Sequence, residues 1–235
     1  VGNSGTIYTS SDGTTWTSRT SNTSKDLENV TYGNSTFVTV GSSGTILTSS
    51  DNGSTWTSRT SGTSNTLEGV TYSNNTFVTV GSSGTILTSS DNGTSWDNRT
   101  SGTTQNLHDV TYGNSTFVTV GGDGTILTSS DNGTSWDNRT SGTLNYLEDV
   151  TYANSTFLTV GQSGTILTSS DGTTWTSRTS GTTNNLYGVT TTIPPLPAPD
   201  NLSASGANNT ITLTWNSVSG ATGYTLYWDN VSGID

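Results

Sequence analysis

The chain has 235 residues, among them 38 serines, 53 threonines, one histidine, no cysteine and no methionine, and its six Lys and Arg face seventeen Asp and Glu for a net charge of −11. Nucleic acid and anionic lipid reward clustered cations, so neither is expected as a partner. The lack of cysteine excludes a disulfide framework, thiol chemistry and zinc-finger spacing, and no apolar run approaches the roughly 20 residues of a membrane span.

A hydrophobic content of 27% would by itself suggest disorder. The apolar residues recur in register, however, with a period of about 40 residues. Units run over 2–40, 41–80, 81–120, 121–160 and 161–192, the last incomplete. Each reads G-x-x-G-T-I-x-T-S-S-D, a Trp, S/N-R-T-S, a variable stretch, then L-x-x-V-T, followed in the first four by Y-x-N-x-T-F-V/L-T-V. Taken in chain order through one unit, Thr45 to Ser49, Thr55 to Thr60, Leu67 to Tyr72 and Thr76 to Val80 alternate with period two and predict strands. Asp-Asn-Gly, Ser-Gly-Thr, Ser-Asn-Asn and Gly-Ser-Ser-Gly supply the turns between them. Four antiparallel strands per unit predict an all-β protein, a β-propeller of about five four-stranded blades. A β-solenoid ranks second. In Thr55 to Thr60, Trp56, Ser58 and Thr60 share a face, which sends the tryptophan between blades.

The segment Ser49-Ser50-Asp51-Asn52-Gly53-Ser54-Thr55-Trp56 resembles the Asp box, S-x-D-x-G-x-x-W, of bacterial-neuraminidase-type propeller repeats, and it recurs at Ser89 to Trp96 and Ser129 to Trp136. The turns from Asp12 to Trp16 and from Asp171 to Trp175 are one residue shorter and read as degenerate boxes. The resemblance implies structural roles for Asp12, Trp16, Asp51, Gly53, Trp56, Asp91, Gly93, Trp96, Asp131, Gly133, Trp136, Asp171 and Trp175. In sialidases such boxes lie away from the catalytic pocket, so they imply no glycoside cleavage. Arg19, Arg59, Arg99, Arg139 and Arg178 hold one repeat position and do not converge as a sialidase site requires. No enzyme is expected.

The units differ chiefly at Ser24 to Asn29, Ser64 to Gly69, Thr104 to Asp109, Leu144 to Asp149 and Thr183 to Gly188. Asp26, Glu28, Glu68, Asp109, Glu148 and Asp149 fall in or beside these stretches and read as solvated loop charges. His108 takes the repeat position of Glu28, Glu68, Glu148 and Tyr187 and reads as an exposed loop residue. The D-x-[DN]-x-[DN]-G calcium loop is absent, so neither metal nor cofactor is expected. Stacked on one face, these stretches would form a ring of similar, unequal sites, with Asn106, His108, Asn145, Tyr146, Asn184 and Tyr187 as candidate ligand residues suited to glycans.

Beyond the repeats, Ile193 to Pro199 reads as a proline-rich linker. Residues 200–235 resemble the first three strands of a fibronectin type III domain, with Trp215 on the second strand and Tyr224 starting the third. The fifth unit lacks its last strand, and Val1-Gly2 look like the end of another. These gaps favour a non-catalytic extracellular or cell-surface propeller with a structural or adhesive role. Its partner would be other copies of itself, joined by strand complementation into a repeating assembly or fibre, with Trp215, Tyr224 and Trp228 as assembly contacts. A lectin-like, glycan-binding propeller is the alternative. A photosystem-assembly-factor-like scaffold, whose repeats look similar, ranks third because no basic patch is legible.

Overall fold

Each unit folds where its sequence offers residues that tolerate positive φ. The Asn34-Ser35, Asn74-Asn75, Asn114-Ser115 and Asn154-Ser155 pairs all adopt φ between 44° and 59°, the conformation of the tight hairpin turns that match strand twist. The computed structural model describes residues 1–191, 201, 203–207 and 210–216. It divides into two units, Val1–Thr191 and Thr192–Asp235.

The first unit opens with a two-stranded sheet, β1 (Ile7–Thr9) and β2 (Thr17–Arg19). Blade 1 follows as β3 (Leu27–Gly33), β4 (Thr36–Gly41), β5 (Thr45–Ser49) and β6 (Thr57–Arg59). Blade 2 is β7 (Leu67–Ser73), β8 (Thr76–Gly81), β9 (Thr85–Ser89) and β10 (Asp97–Arg99). Blade 3 is β11 (Leu107–Gly113), β12 (Thr116–Gly121), β13 (Ile126–Ser129) and β14 (Asp137–Arg139). Blade 4 is β15 (Leu147–Ala153), β16 (Thr156–Gly161), β17 (Ile166–Ser169) and β18 (Thr176–Arg178). Within every blade the strands pair antiparallel in chain order. The unit is a β-propeller of about five blades. Its sheets begin at the Leu of L-x-x-V-T, so each draws its two inner strands from one sequence unit and its two outer strands from the next.

The core lies between blades. Val38, Val40 and Ile46 of blade 1 pack with Leu67, Val70, Phe77 and Leu87 of blade 2, and the same set recurs between blades 2 and 3 and between blades 3 and 4. Phe77, Phe117 and Phe157 are fully buried, each beneath a cross-strand tyrosine (Tyr72, Tyr112 or Tyr152) with ring centroids 4.5–4.7 Å apart. That spacing is favourable for tilted rings. Trp56 lies between the first sheet and blade 1, against Ile7, Leu27 and Leu47, as expected. Trp16 does not: it is 58% exposed against 7% for Trp56, since no preceding blade covers it. Tyr8, Val30 and Tyr32 share that exposure because the sheet beside them has two strands instead of four. Gly81 is required by packing, since a Cβ there would overlap the carbonyl oxygen of Thr66.

In the second unit, β19 (Ser203–Ala207) and β20 (Thr210–Thr214) form an antiparallel hairpin, with Ser203 opposite Thr214 and Trp215 directly after β20. Trp215, expected to be covered as an assembly contact, is 37% exposed. Tyr224, Trp228 and the 193–199 linker lie outside the described residues.

Candidate functional site

The Asp boxes are closed on themselves. Oδ1 of Asp51 accepts the Thr55 N–H at 2.9 Å and the Ser49 hydroxyl at 2.8 Å, and Oδ2 accepts the Thr55 hydroxyl at 2.7 Å. The Thr55 hydroxyl, followed by its N–H, holds this carboxyl down at about 2. Ser95 and Ser135 do the same for Asp91 and Asp131. Gly53 turns at φ 77°, a conformation glycine adopts without strain, and its carbonyl accepts the Trp56 indole N–H at 3.0 Å. Trp96, Trp136 and Trp175 repeat that bond on Gly93, Gly133 and Gly172. The shorter boxes hold their carboxylates in a similar way. Asp12 takes the N–H groups of Thr15 and Thr14, and Asp171 those of Thr174 and Thr173, which hold both carboxyls far below the ordinary carboxylate range.

The variable stretches enter the innermost strands. A register shift separates Leu27 from Asn29, Leu67 from Gly69, Leu107 from Asp109 and Leu147 from Asp149, so a bulge at the start of each inner strand sets two consecutive side chains. At the first bulge position, Glu28, Glu68 and Glu148 accept hydrogen bonds from Ser42, Ser82 and Gln162. Blade 3 differs at both partners, with His108 in place of the Glu and Gly122 in place of the Ser or Gln. His108 lies on β11, not in an exposed loop, and its Nδ1 meets Glu68 Oε2 across the blade boundary at 2.7 Å. That bond raises the imidazole pKa against the opposing effect of burial. Nε2 is buried with no protein partner, and the ring faces Tyr146 at 6.0 Å.

At the second bulge position stand Asn29, Gly69, Asp109 and Asp149. Asp109 and Asp149 are not the solvated loop charges expected from sequence. Oδ2 of Asp109 accepts the Val150 N–H at 3.1 Å, and Oδ2 of Asp149 accepts the Val189 N–H at 2.7 Å. Burial, and then a hydrogen bond with Asp149, push the Asp109 carboxyl up to about 8. Each of these carboxylates is thus engaged by a backbone N–H of the following strand or segment.

The candidate ligand residues divide. Asn106 accepts the Ser83 N–H at 3.0 Å and Asn145 donates to the Thr165 hydroxyl at 2.9 Å, so both side chains brace loops. The Asn184 N–H is held by Thr182 at 3.1 Å, and the Tyr187 hydroxyl accepts from Asn185 at 3.3 Å. Tyr146 and Tyr187 keep exposed rings. Among the described residues no group of three or more His, Asp or Glu is placed to hold a metal.

Sequence reasoning missed the polar clefts along the outer strands. In blades 1, 2 and 3 a cleft runs beside β6, β10 or β14, between the connection that enters the blade and the one that leaves it. The three have volumes of about 560, 830 and 450 Å³. Each is lined by an arginine, Arg59, Arg99 or Arg139, whose Nε donates at 2.8 Å to a threonine on the neighbouring strand, Thr48, Thr88 or Thr128. Asp97 and Asp137 partly neutralise Arg99 and Arg139, while the residue at that position beside Arg59 is Thr57. The signal was available in the recurring W-x-x-R and I-L-T-S, whose spacing sets Arg and Thr on facing strands.

The family model of the photosynthesis system II assembly factor YCF48 matches residues 1–167. Among solved structures, YCF48 bound to D1 peptide is 19% identical with a TM-score of 0.54, over 65% of this chain and 53% of that one. YCF48 from Cyanidioschyzon merolae is 17% identical with a TM-score of 0.59, over 78% and 70%. The computationally designed Ika8 protein is 14% identical with a TM-score of 0.63, over 91% and 66%. These likenesses show the fold, and the chain spans about half the length (53%) of the first. Among curated proteins no sequence matches significantly.

The match corrects the leading expectation from sequence. A family of photosystem II assembly factors, with a solved member bound to a D1 peptide, displaces the extracellular adhesive subunit and its lectin-like alternative. It also displaces copies of the chain and glycans as partners, and the cell surface as location. The incomplete strands at the two ends of the repeats had pointed to strand complementation. With 167 of its 235 residues matched, the chain belongs to the photosynthesis system II assembly factor YCF48 family.

Proposed function

We propose that the chain is a non-catalytic scaffold for photosystem II assembly, and that the arginine clefts along β6, β10 and β14 hold an extended segment of a photosystem subunit. One observation carries the reading: the same guanidinium, fixed through Nε by a threonine, recurs in clefts of successive blades. A guanidinium held this way still presents its terminal N–H groups to carboxylate or carbonyl oxygens. The surrounding Ser, Thr and Gly residues offer further hydroxyl and backbone partners. The D1 peptide on a structural relative supports a peptide as the occupant. We further propose the division into a 1–192 propeller, a 193–199 linker and a 200–235 fibronectin type III-like segment, a reading supported by the hairpin of β19 and β20.

Titration of the chain with synthetic peptides that tile the D1 subunit, followed by calorimetry, tests the function. One peptide is expected to bind, and the triple variant R59A/R99A/R139A is expected to bind it about tenfold or more weakly, equivalent to roughly 1.4 kcal/mol or more. Equal binding by the variant, or no binding of any D1 peptide, overturns the reading.

A further inference from the structure

We propose that Asn52-Gly53 is a site of spontaneous modification, at which the asparagine cyclises and hydrolyses to isoaspartate and aspartate faster than at the two other Asn-Gly boxes, Asn92-Gly93 and Asn132-Gly133.

The reaction needs only water. The Gly53 nitrogen attacks Cγ of Asn52, the new N–Cγ bond closes a succinimide ring, and Nδ2 leaves as ammonia with the proton of the Gly53 N–H. Water then opens the ring at one of its two carbonyls. Opening at Cγ gives aspartate, and opening at the main-chain carbonyl leaves the chain running through Cγ as isoaspartate. No electrons are transferred. The step is fast only where Cγ is free to come within about 3–3.5 Å of that nitrogen, and a following glycine, with no side chain, leaves the approach open.

The three sites share one backbone. Asn52, Asn92 and Asn132 have φ of 56–59°, and the glycines after them 75–78°. The N–H of Gly53, Gly93 and Gly133 donates to Ser49, Ser89 and Ser129 at 2.9 Å in each case, and all three asparagines are exposed. Their surroundings separate them. Oδ1 of Asn92 accepts from Nδ2 of Asn34 at 2.6 Å, and Oδ1 of Asn132 from Nδ2 of Asn74 at 2.5 Å. Asn34 and Asn74 stand in the turns between the two inner strands of the preceding blade. An amide drawn toward that blade cannot swing over the glycine nitrogen of its own turn. Among the described residues Asn52 has no counterpart of this bond, because the sheet before blade 1 consists of β1 and β2 alone and has no turn between inner strands.

The second difference is cover. Gly93 faces the side chains of Thr48 and Val38, and Gly133 those of Thr88 and Val78, whereas Gly53 faces Thr9 and its own Trp56. Asn52 and Gly53 also line a cavity of about 650 Å³ together with Tyr8 and Trp16. A turn with fewer buried neighbours opens at lower free energy, and opening releases the Gly53 N–H from Ser49.

The test is peptide mapping by mass spectrometry of the full chain held in warm, mildly alkaline buffer, with the Asn, Asp and isoAsp forms of each box separated. Asn52 is expected to convert about three to ten times faster than Asn92 and Asn132, the factor that one neutral hydrogen bond supplies. Asn34→Gly keeps a residue at ease with positive φ and removes the donor, so it should raise the Asn92 rate by about the same factor and leave Asn132 unchanged. Asn74→Gly should do the reverse, and each variant thus carries its own internal control. Rates at the three wild-type sites that agree to within about twofold overturn the proposal. So does an Asn92 rate unchanged in Asn34→Gly, or a rise at Asn92 and Asn132 together in both variants, which would assign the protection to the fold at large.

Discussion

Phe37, Phe77 and Phe117 hold one repeat position, follow the same threonine and face the same cross-strand tyrosine, yet their surroundings differ. Phe77 and Phe117 are fully buried between complete blades. Phe37 is half-buried, packed against Ile7, Leu27, Leu47 and Trp56 beside the two-stranded sheet. Truncation to Ala removes the ring and leaves a cavity. At Phe77 the neighbours Val38, Val40, Ile46, Leu67, Val70 and Leu87 belong to rigid sheets that cannot collapse into it. A phenylalanine ring buries on the order of 200 Å², worth about 5 kcal/mol gross at about 25 cal/mol per Å², and measured Phe-to-Ala losses run about 3–5 kcal/mol. Phe77→Ala and Phe117→Ala are therefore expected to cost about 4 kcal/mol each and Phe37→Ala about 2, since its ring already meets water on one side. Urea unfolding followed by tryptophan fluorescence, at unchanged m, measures all three. If the three losses agree to within about 0.5 kcal/mol, stability does not reside at the blade interfaces and the reasoning fails.

Other consequences follow from single contacts. Gly81→Ala forces a methyl into the Thr66 carbonyl and should cost about 3 kcal/mol or more, whereas Gly62→Ala, at φ 75° in open space, should cost only the left-handed penalty of about 1–2 kcal/mol, both by urea titration. The lowered Asp51, Asp91 and Asp131 pKa values, about 2, give stability that is present above the ordinary carboxylate range and lost as pH falls through about 2. Circular dichroism should show acid unfolding between about pH 4 and about pH 2, with a shallower slope in the triple Asp-to-Asn variant. The His108 pKa is raised by Glu68, so its stabilising effect is full below about pH 6.5 and is lost as pH rises through the folded value. Glu68→Gln should lower the imidazole midpoint read by NMR, and an unchanged midpoint would show that the pairing is not formed in solution.

The 40-residue period, the four strands of each unit and the boxes were legible because each depends on a short local pattern: alternation, positive-φ turn pairs, an Asp with a Trp behind it. The phase of the blades was not, since nothing local to Gly41 or Leu67 says which hairpins pair into one sheet. Asp109 and Asp149 were misplaced for a related reason. A strand that opens with a bulge and lines an axis carries polar residues without alternation, and Leu-His-Asp-Val or Leu-Glu-Asp-Val then looks like a loop. The arginine clefts escaped because their two halves, Arg59 and Thr48, meet only across strands.

The offset between sequence unit and sheet has an evolutionary side. Gain or loss of any 40-residue stretch, wherever within the unit the breakpoints fall, returns the chain to the same phase with whole four-stranded sheets on either side. Nearly identical copies, as in 41–80 and 81–120, are also the substrate on which unequal recombination works best. The array can therefore change its number of blades in one genetic step without an intermediate that leaves a sheet divided, and its length is free to drift while each interface between neighbours is kept.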